Sequence, residues 1–211
     1  MLIEYYINNI DEKELEIKTN IENALKYKIS GIVGTYSHCK YIRKLYPETN
    51  LGCFIDYPLA SGDFNRRSDQ ILDAIKLNIN YACITIPFFY IVNRKYDKFR
   101  DEIKKNLEIC LSSKVELRYI LEYRKFDHGL LSKICEILIQ GGVSTIYPST
   151  GFFLDNIEDN LIACSYLNEK TGIKTIVNGN VWTEKQMSNV IKMDPYGFST
   201  PNLSNLQLIN N

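Results

Sequence analysis

Val115-Glu116-Leu117-Arg118-Tyr119-Ile120-Leu121-Glu122 is followed by Leu130-Leu131-Ser132-Lys133-Ile134-Cys135-Glu136-Ile137-Leu138-Ile139, then the break Gly141-Gly142, then Val143-Ser144-Thr145-Ile146-Tyr147. The first and last runs are short and rich in β-branched and aromatic residues, while the middle one carries apolar residues at helical spacing. Strand, helix and strand in that order make a parallel pair joined by a helical crossover.

The alternation continues in both directions. Upstream, strands are predicted at Leu2 to Ile7, Gly31 to Gly34, Leu51 to Asp56 and Tyr81 to Ile86. The intervening helices are predicted from the acidic start Asp11-Glu12-Lys13-Glu14 to about Tyr27, from Cys39 to Leu45, from Arg67 to Leu77 and from Asp97 to Leu111. Downstream come a helix from Ile157 to Leu167, a strand from Ile173 to Val177, a helix from Glu184 to Ile191, and Tyr196-Gly197-Phe198 before a short tail from Asn202. Eight units, with no Gly-x-Gly-x-x-Gly turn after the first strand, favour a closed (β/α)8 TIM barrel over an open doubly wound sheet. At 211 residues the barrel is small, and residues 1–211 read as one domain without inserted domains.

Lys+Arg and Asp+Glu balance at 25 each and hydrophobic residues make up 45%, which excludes a disordered chain and a basic nucleic-acid binder. The apolar run from Ala82 to Val92 is well short of the roughly 20 residues of a membrane helix. Met1 leads into Leu-Ile-Glu-Tyr-Tyr without a basic start or a small-residue cleavage site, so a cytoplasmic protein is expected, with no nucleic-acid or membrane partner. A homo-oligomer or a protein partner stays open. The six cysteines, without a CxxC pair and with only two histidines beside them, are expected to be reduced core thiols.

In such a barrel the loops after the strands build the site. The loops around Ser149-Thr150-Gly151, Asn178-Gly179-Asn180 and Gly197-Phe198-Ser199-Thr200 combine small residues with hydroxyls or amides. That mixture suits a phosphate cradle, and also suits ordinary turns and helix caps. On the fifth strand, period two puts Glu116, Arg118, Ile120 and Glu122 on one face and Val115, Leu117, Tyr119 and Leu121 on the other. With the apolar set against the helices, Arg118 points inward. There it either pairs with Glu116 or Glu122, or grips a substrate phosphate or carboxylate. Asp56, Asp63 and Glu122 are too scattered to specify a cation, so neither metal nor cofactor is expected. His38 and His128 read as surface or first-turn residues.

With these residues in hand, the chain from about Gly31 to Leu203 resembles the deoxyribose-phosphate aldolase family. Asp56-Tyr57-Pro58-Leu59-Ala60 is similar to that family's G-F-P-L-G, Leu117 to Glu122 to L-K-V-I-I-E, and Ser149-Thr150-Gly151-Phe152 is identical to its S-T-G-F. Asn178-Gly179-Asn180-Val181-Trp182-Thr183 and Gly197-Phe198-Ser199-Thr200 match S-G-G-I-R-T and G-T-S-S more weakly. The resemblance implies a phosphate site at Ser149, Thr150, Gly151, Asn178, Gly179, Gly197 and Ser199. It also exposes departures. The family's imine-forming lysine falls on Tyr147, its second lysine on Ile176, its aspartate on Cys83 or Thr85, and another lysine on Arg118. Tyr and Ile cannot form an imine and an arginine stays protonated. Lys174 shares the face of Ile176 but lies toward the N-terminal end of its strand, which suits a solvated lysine better than a nucleophile.

Two functions are therefore expected to compete. One is an aldolase-like lyase or isomerase acting on a small phosphorylated sugar or aldehyde without a lysine imine, with Arg118, Glu122 and Tyr147 around the carbonyl. The other is an inactive homologue that binds a phosphometabolite or another subunit.

Overall fold

The eight β-branched runs form eight parallel strands in a computed structural model that describes residues 1–9, 11–153 and 156–210. They are β1 (Leu2–Tyr6), β2 (Gly31–Gly34), β3 (Leu51–Ile55), β4 (Tyr81–Thr85), β5 (Glu116–Ile120), β6 (Thr145–Tyr147), β7 (Lys174–Asn178) and β8 (Gly197–Thr200). Each strand pairs with its sequence neighbours, and β1 pairs with β8 through Leu2 opposite Gly197 and Glu4 opposite Ser199, so the sheet closes into a single barrel. The helices are α1 (Glu14–Ala24), α2 (Tyr36–Leu45), α3 (Phe64–Ile75), α4 (Phe88–Val92), α5 (Tyr96–Ser112), α6 (His128–Gln140), α7 (Ile157–Thr171), α8 (Glu184–Met193) and α9 (Leu203–Asn210).

Period two sorts each strand. Outward residues such as Tyr5, Ile32, Cys53, Ile84, Leu117, Tyr119 and Ile146 join the large core under the helices. Inward residues form a second core, in which Tyr6, Val33, Tyr81, Cys83, Ile120, Tyr147 and Ile176 pack with Phe54 and Tyr57. The alternation expected for β5 is the one observed. Helices α2, α3 and α6 begin earlier than their apolar stripes suggested, because polar residues cap them, Asp127 doing so for α6. Thr35 and His38 form a capping box ahead of α2, and the Asp63 carboxylate accepts from the Arg66 N–H at 2.9 Å ahead of α3. The short α4, which follows Pro87, had no sequence-based counterpart.

Arg67 is fully buried outside the barrel wall and ties four elements together. Its guanidinium donates to Glu102 of α5 at 3.0 Å, to Asp56 after β3 at 2.8 Å, and to the carbonyl of Thr85 at the end of β4. Asp56, at a positive φ, also accepts from the Gly62 N–H, so the β3 loop is anchored onto α3. All six cysteines are free and buried, and burial pushes the Cys110, Cys135 and Cys164 thiols up to about 12. Among the described residues no helix is long and apolar enough to cross a membrane.

Candidate functional site

The interior of the barrel holds a polar cluster built from β1, β4, β5 and β6. Arg118 donates from Nη1 to Glu4 Oε1 at 2.6 Å and to the Tyr147 hydroxyl at 3.0 Å, and from Nη2 to Glu116 Oε2 at 2.7 Å. The Tyr147 hydroxyl donates to the other oxygen of Glu4 at 2.7 Å, and the Cys83 thiol lies 3.8 Å from it. The guanidinium sits 3.9 Å from the centroid of the Tyr81 ring. Tyr81 is level with Glu116 in the β4–β5 register, so Arg118 reaches toward the N-terminal ends of the strands, away from the mouth. Burial, with Cys83 and Glu4 adding to it, raises the Tyr147 phenol well above the ordinary tyrosine range and keeps it protonated. For Arg118, burial pulls the other way, but Tyr147 and Glu4 outweigh it and the guanidinium stays charged.

Glu4 is the partner that sequence reasoning missed. Its signal was present, since period two on Leu2–Tyr6 puts Glu4 on the face shared with Tyr6. Glu122 is not part of this cluster. It takes a left-handed backbone, φ 53°, which turns its carboxylate onto the β6 loop, where Oε2 accepts from the Thr150 N–H at 2.9 Å and from the Thr150 hydroxyl.

That loop is held from every side. The Tyr57 hydroxyl, from across the barrel, donates to the Thr150 carbonyl at 2.6 Å, with its ring stacked 4.3 Å from that of Phe54. The Asn178 amide donates to the Ser149 carbonyl at 2.9 Å. The Gly151 N–H bonds the Ser149 hydroxyl at 2.9 Å, the Phe152 N–H bonds the Thr150 hydroxyl at 3.2 Å, and the Gly179 N–H bonds the Ser199 carbonyl at 3.0 Å. The backbone amides of Thr150, Gly151, Phe152 and Gly179 are thus engaged by the chain itself. Two side-chain atoms at the ends of β7 and β8 are buried without a hydrogen-bond partner among the described residues, Asn178 Oδ1 and Ser199 Oγ.

The structure brings Ser149, Thr150, Gly151, Asn178, Gly179 and Ser199 together at the carboxyl ends of β6 to β8. Gly197 does not join them. It opens β8 opposite Leu2 and Ile176, near the N-terminal face, where a Cβ would lie 3.1–3.3 Å from those side chains. The error was in strand length, since β8 runs on to Thr200. The three carboxylates considered for a cation serve separate ends, with Asp56 on Arg67, Asp63 capping α3 and Glu122 on Thr150. Lys174 is exposed at the start of β7, its ammonium 4.9 Å from the Tyr196 ring centroid. Trp182 is 73% exposed. His38 caps α2, and the His128 ring packs at a tilt against that of Tyr166, with centroids 4.7 Å apart. Beside the β6 loop, a cleft of about 410 Å³ opens at the mouth between Tyr5 to Asn9, Glu12, Gly151, Phe152 and Pro201.

No model of a known protein family matches the chain, and no curated protein sequence does. Solved structures do match. The aldolase QR15 superposes with a TM-score of 0.82 at 17% identity, over 98% of this chain and 90% of that one. The tetrameric deoxyribose phosphate aldolase of Aeropyrum pernix superposes at 0.86 with 14% identity, over 98% and 88%. A glycerol uptake operon antiterminator regulatory protein of Listeria monocytogenes follows at 0.61 with 13% identity, over 96% and 92%. From end to end, the chain has the fold of the deoxyribose-phosphate aldolases.

Proposed function

We propose that this barrel is a non-catalytic binding protein on an aldolase fold, taking a small polar metabolite at its mouth. One observation carries the reading: the interior, where an imine-forming amine belongs, is occupied by the mutually bonded Glu4, Arg118 and Tyr147, with Ile176 and Cys83 buried beside them. A phenol raised by burial is a poor proton donor at neutral pH, and Arg118 faces away from the mouth. The Listeria neighbour, named for a regulatory role, is consistent with a fold that is not tied to one chemistry.

The test is borohydride reduction of the intact protein with deoxyribose 5-phosphate, read by mass. No adduct is expected, and a lysine adduct overturns the reading. Calorimetric titration with small sugars and their phosphates supplies the positive arm, binding without turnover. The lyase or isomerase alternative is favoured by one feature, the Tyr147 hydroxyl poised between Glu4 and Arg118. Aldehyde release that is present in the wild type and lost in Tyr147→Phe would establish it instead. Assembly of this chain into a homo-oligomer, as the Aeropyrum aldolase is described, is tested by light scattering.

A further inference from the structure

We infer that the β1 side of the mouth cleft is a hydroxyl-recognition subsite for a neutral sugar or polyol, centred on Glu12. The inference rests on the binding role proposed above and names its ligand class. Glu12 Oε1 accepts from Asn20 Nδ2 at 3.3 Å, whereas Oε2 is buried and has no hydrogen-bond partner among the described residues. A carboxylate oxygen withdrawn from water calls for a donor, and Glu12 is one of the residues that line the cleft.

The neighbours define that donor. Burial, Glu16 and Asp11 together raise the Glu12 carboxyl above its ordinary value, and the local field they report disfavours a phosphate at this wall. Asn8 and Asn9 add amides, each of which both donates and accepts. A hydroxyl answers Glu12 as donor and an amide N–H as acceptor, while an ammonium answers only the first. The half-exposed Phe152 and Pro201 also line the cleft and add apolar surface for the C–H face of a sugar. The cleft, about 410 Å³, lies within the range of small-molecule sites.

The experiment is calorimetric titration of the full chain with D-ribose, D-glucose, glucosamine and ribose 5-phosphate, in the wild type, Glu12→Gln and Asn8→Ala. The neutral sugars are expected to bind. Glu12→Gln should weaken them roughly ten- to a hundredfold, the loss of a hydrogen bond to a charged group, and Asn8→Ala less. Amide exchange of the barrel strands, unchanged in both variants, separates lost contact from lost fold. Unaltered sugar affinity in a folded Glu12→Gln variant overturns the subsite and leaves the binding role standing. Preference for glucosamine or for ribose 5-phosphate overturns the hydroxyl assignment. Absence of binding in every arm overturns both the subsite and the role it rests on.

Discussion

Two polar regions share this barrel, and they differ in how completely their atoms are satisfied. In the interior, both oxygens of Glu4, the Tyr147 hydroxyl and both terminal nitrogens of Arg118 have partners within the chain, so the charged ends are matched, while Arg118 Nε and the Tyr81 hydroxyl have none among the described residues. At the mouth, Glu12 Oε2, Asn178 Oδ1 and Ser199 Oγ are buried and have none among the described residues. A carboxylate and a guanidinium matched to each other stabilise one arrangement and leave no free charge for a ligand, whereas orphaned acceptors beside a cleft weaken the fold slightly and become useful when something binds. The contrast separates Arg118 and Tyr147, which look catalytic in the sequence but bond to each other and to Glu4, from the mouth acceptors that have no partner among the described residues.

The sharpest way to break the comparison is Arg118→Leu. It leaves Glu4 buried without its cation and should cost about 3–5 kcal/mol in urea unfolding, with a good part recovered in the Glu4→Leu/Arg118→Leu double variant. A loss under about 1 kcal/mol would mean that the cluster contributes little to holding the fold. Tyr147→Phe removes one donor to Glu4 and should cost about 2 kcal/mol without altering sugar affinity. Tyr57→Phe cuts the link to the Thr150 carbonyl and should cost about 1 kcal/mol, with faster amide exchange in the β6 loop. Ser199→Ala, at the mouth, should stay within about 0.5 kcal/mol of the wild type, because its hydroxyl gives up no bond.

The smallest effect is on pH dependence. The Glu12 carboxyl is raised above 4.5 in the folded protein, so the folded state holds its proton longer than the unfolded one. Its contribution is therefore favourable at low pH and declines as pH rises through the window between 4.5 and the raised value. Glu12→Gln should flatten the fall in melting temperature as pH rises above 4.5, and an unchanged profile would remove the raised carboxyl at the mouth.

The barrel itself was legible because seven helical crossovers and the two-residue period of β5 depend only on local patterning. The loop residues of β6 and β7 were legible for the same reason, since they directly follow recognisable strands. Other features needed pairings between distant segments. Arg118 and Glu4 are 114 positions apart, and Tyr57 and Thr150 are 93 apart. Glu122 misled because alternation assumes an extended backbone, and its positive φ takes it off the inward face. Gly197 misled because one strand boundary was misjudged, enough to move a residue from the mouth to the opposite end. Glu12 was read as part of a helix start; its value lies in a buried oxygen, which no residue pattern encodes.

Tyr81, which lies under the Arg118 guanidinium, occupies the space that side chains at positions 31 and 52 would need, since a Cβ on Gly31 or Gly52 would overlap its phenol ring. These three positions are thus locked into a single volume, and a relative with a bulkier residue at either glycine has to shrink the tyrosine in the same lineage. Any such relative would lose the aromatic lid on its guanidinium and admit water from below, so the three would be inherited as a set.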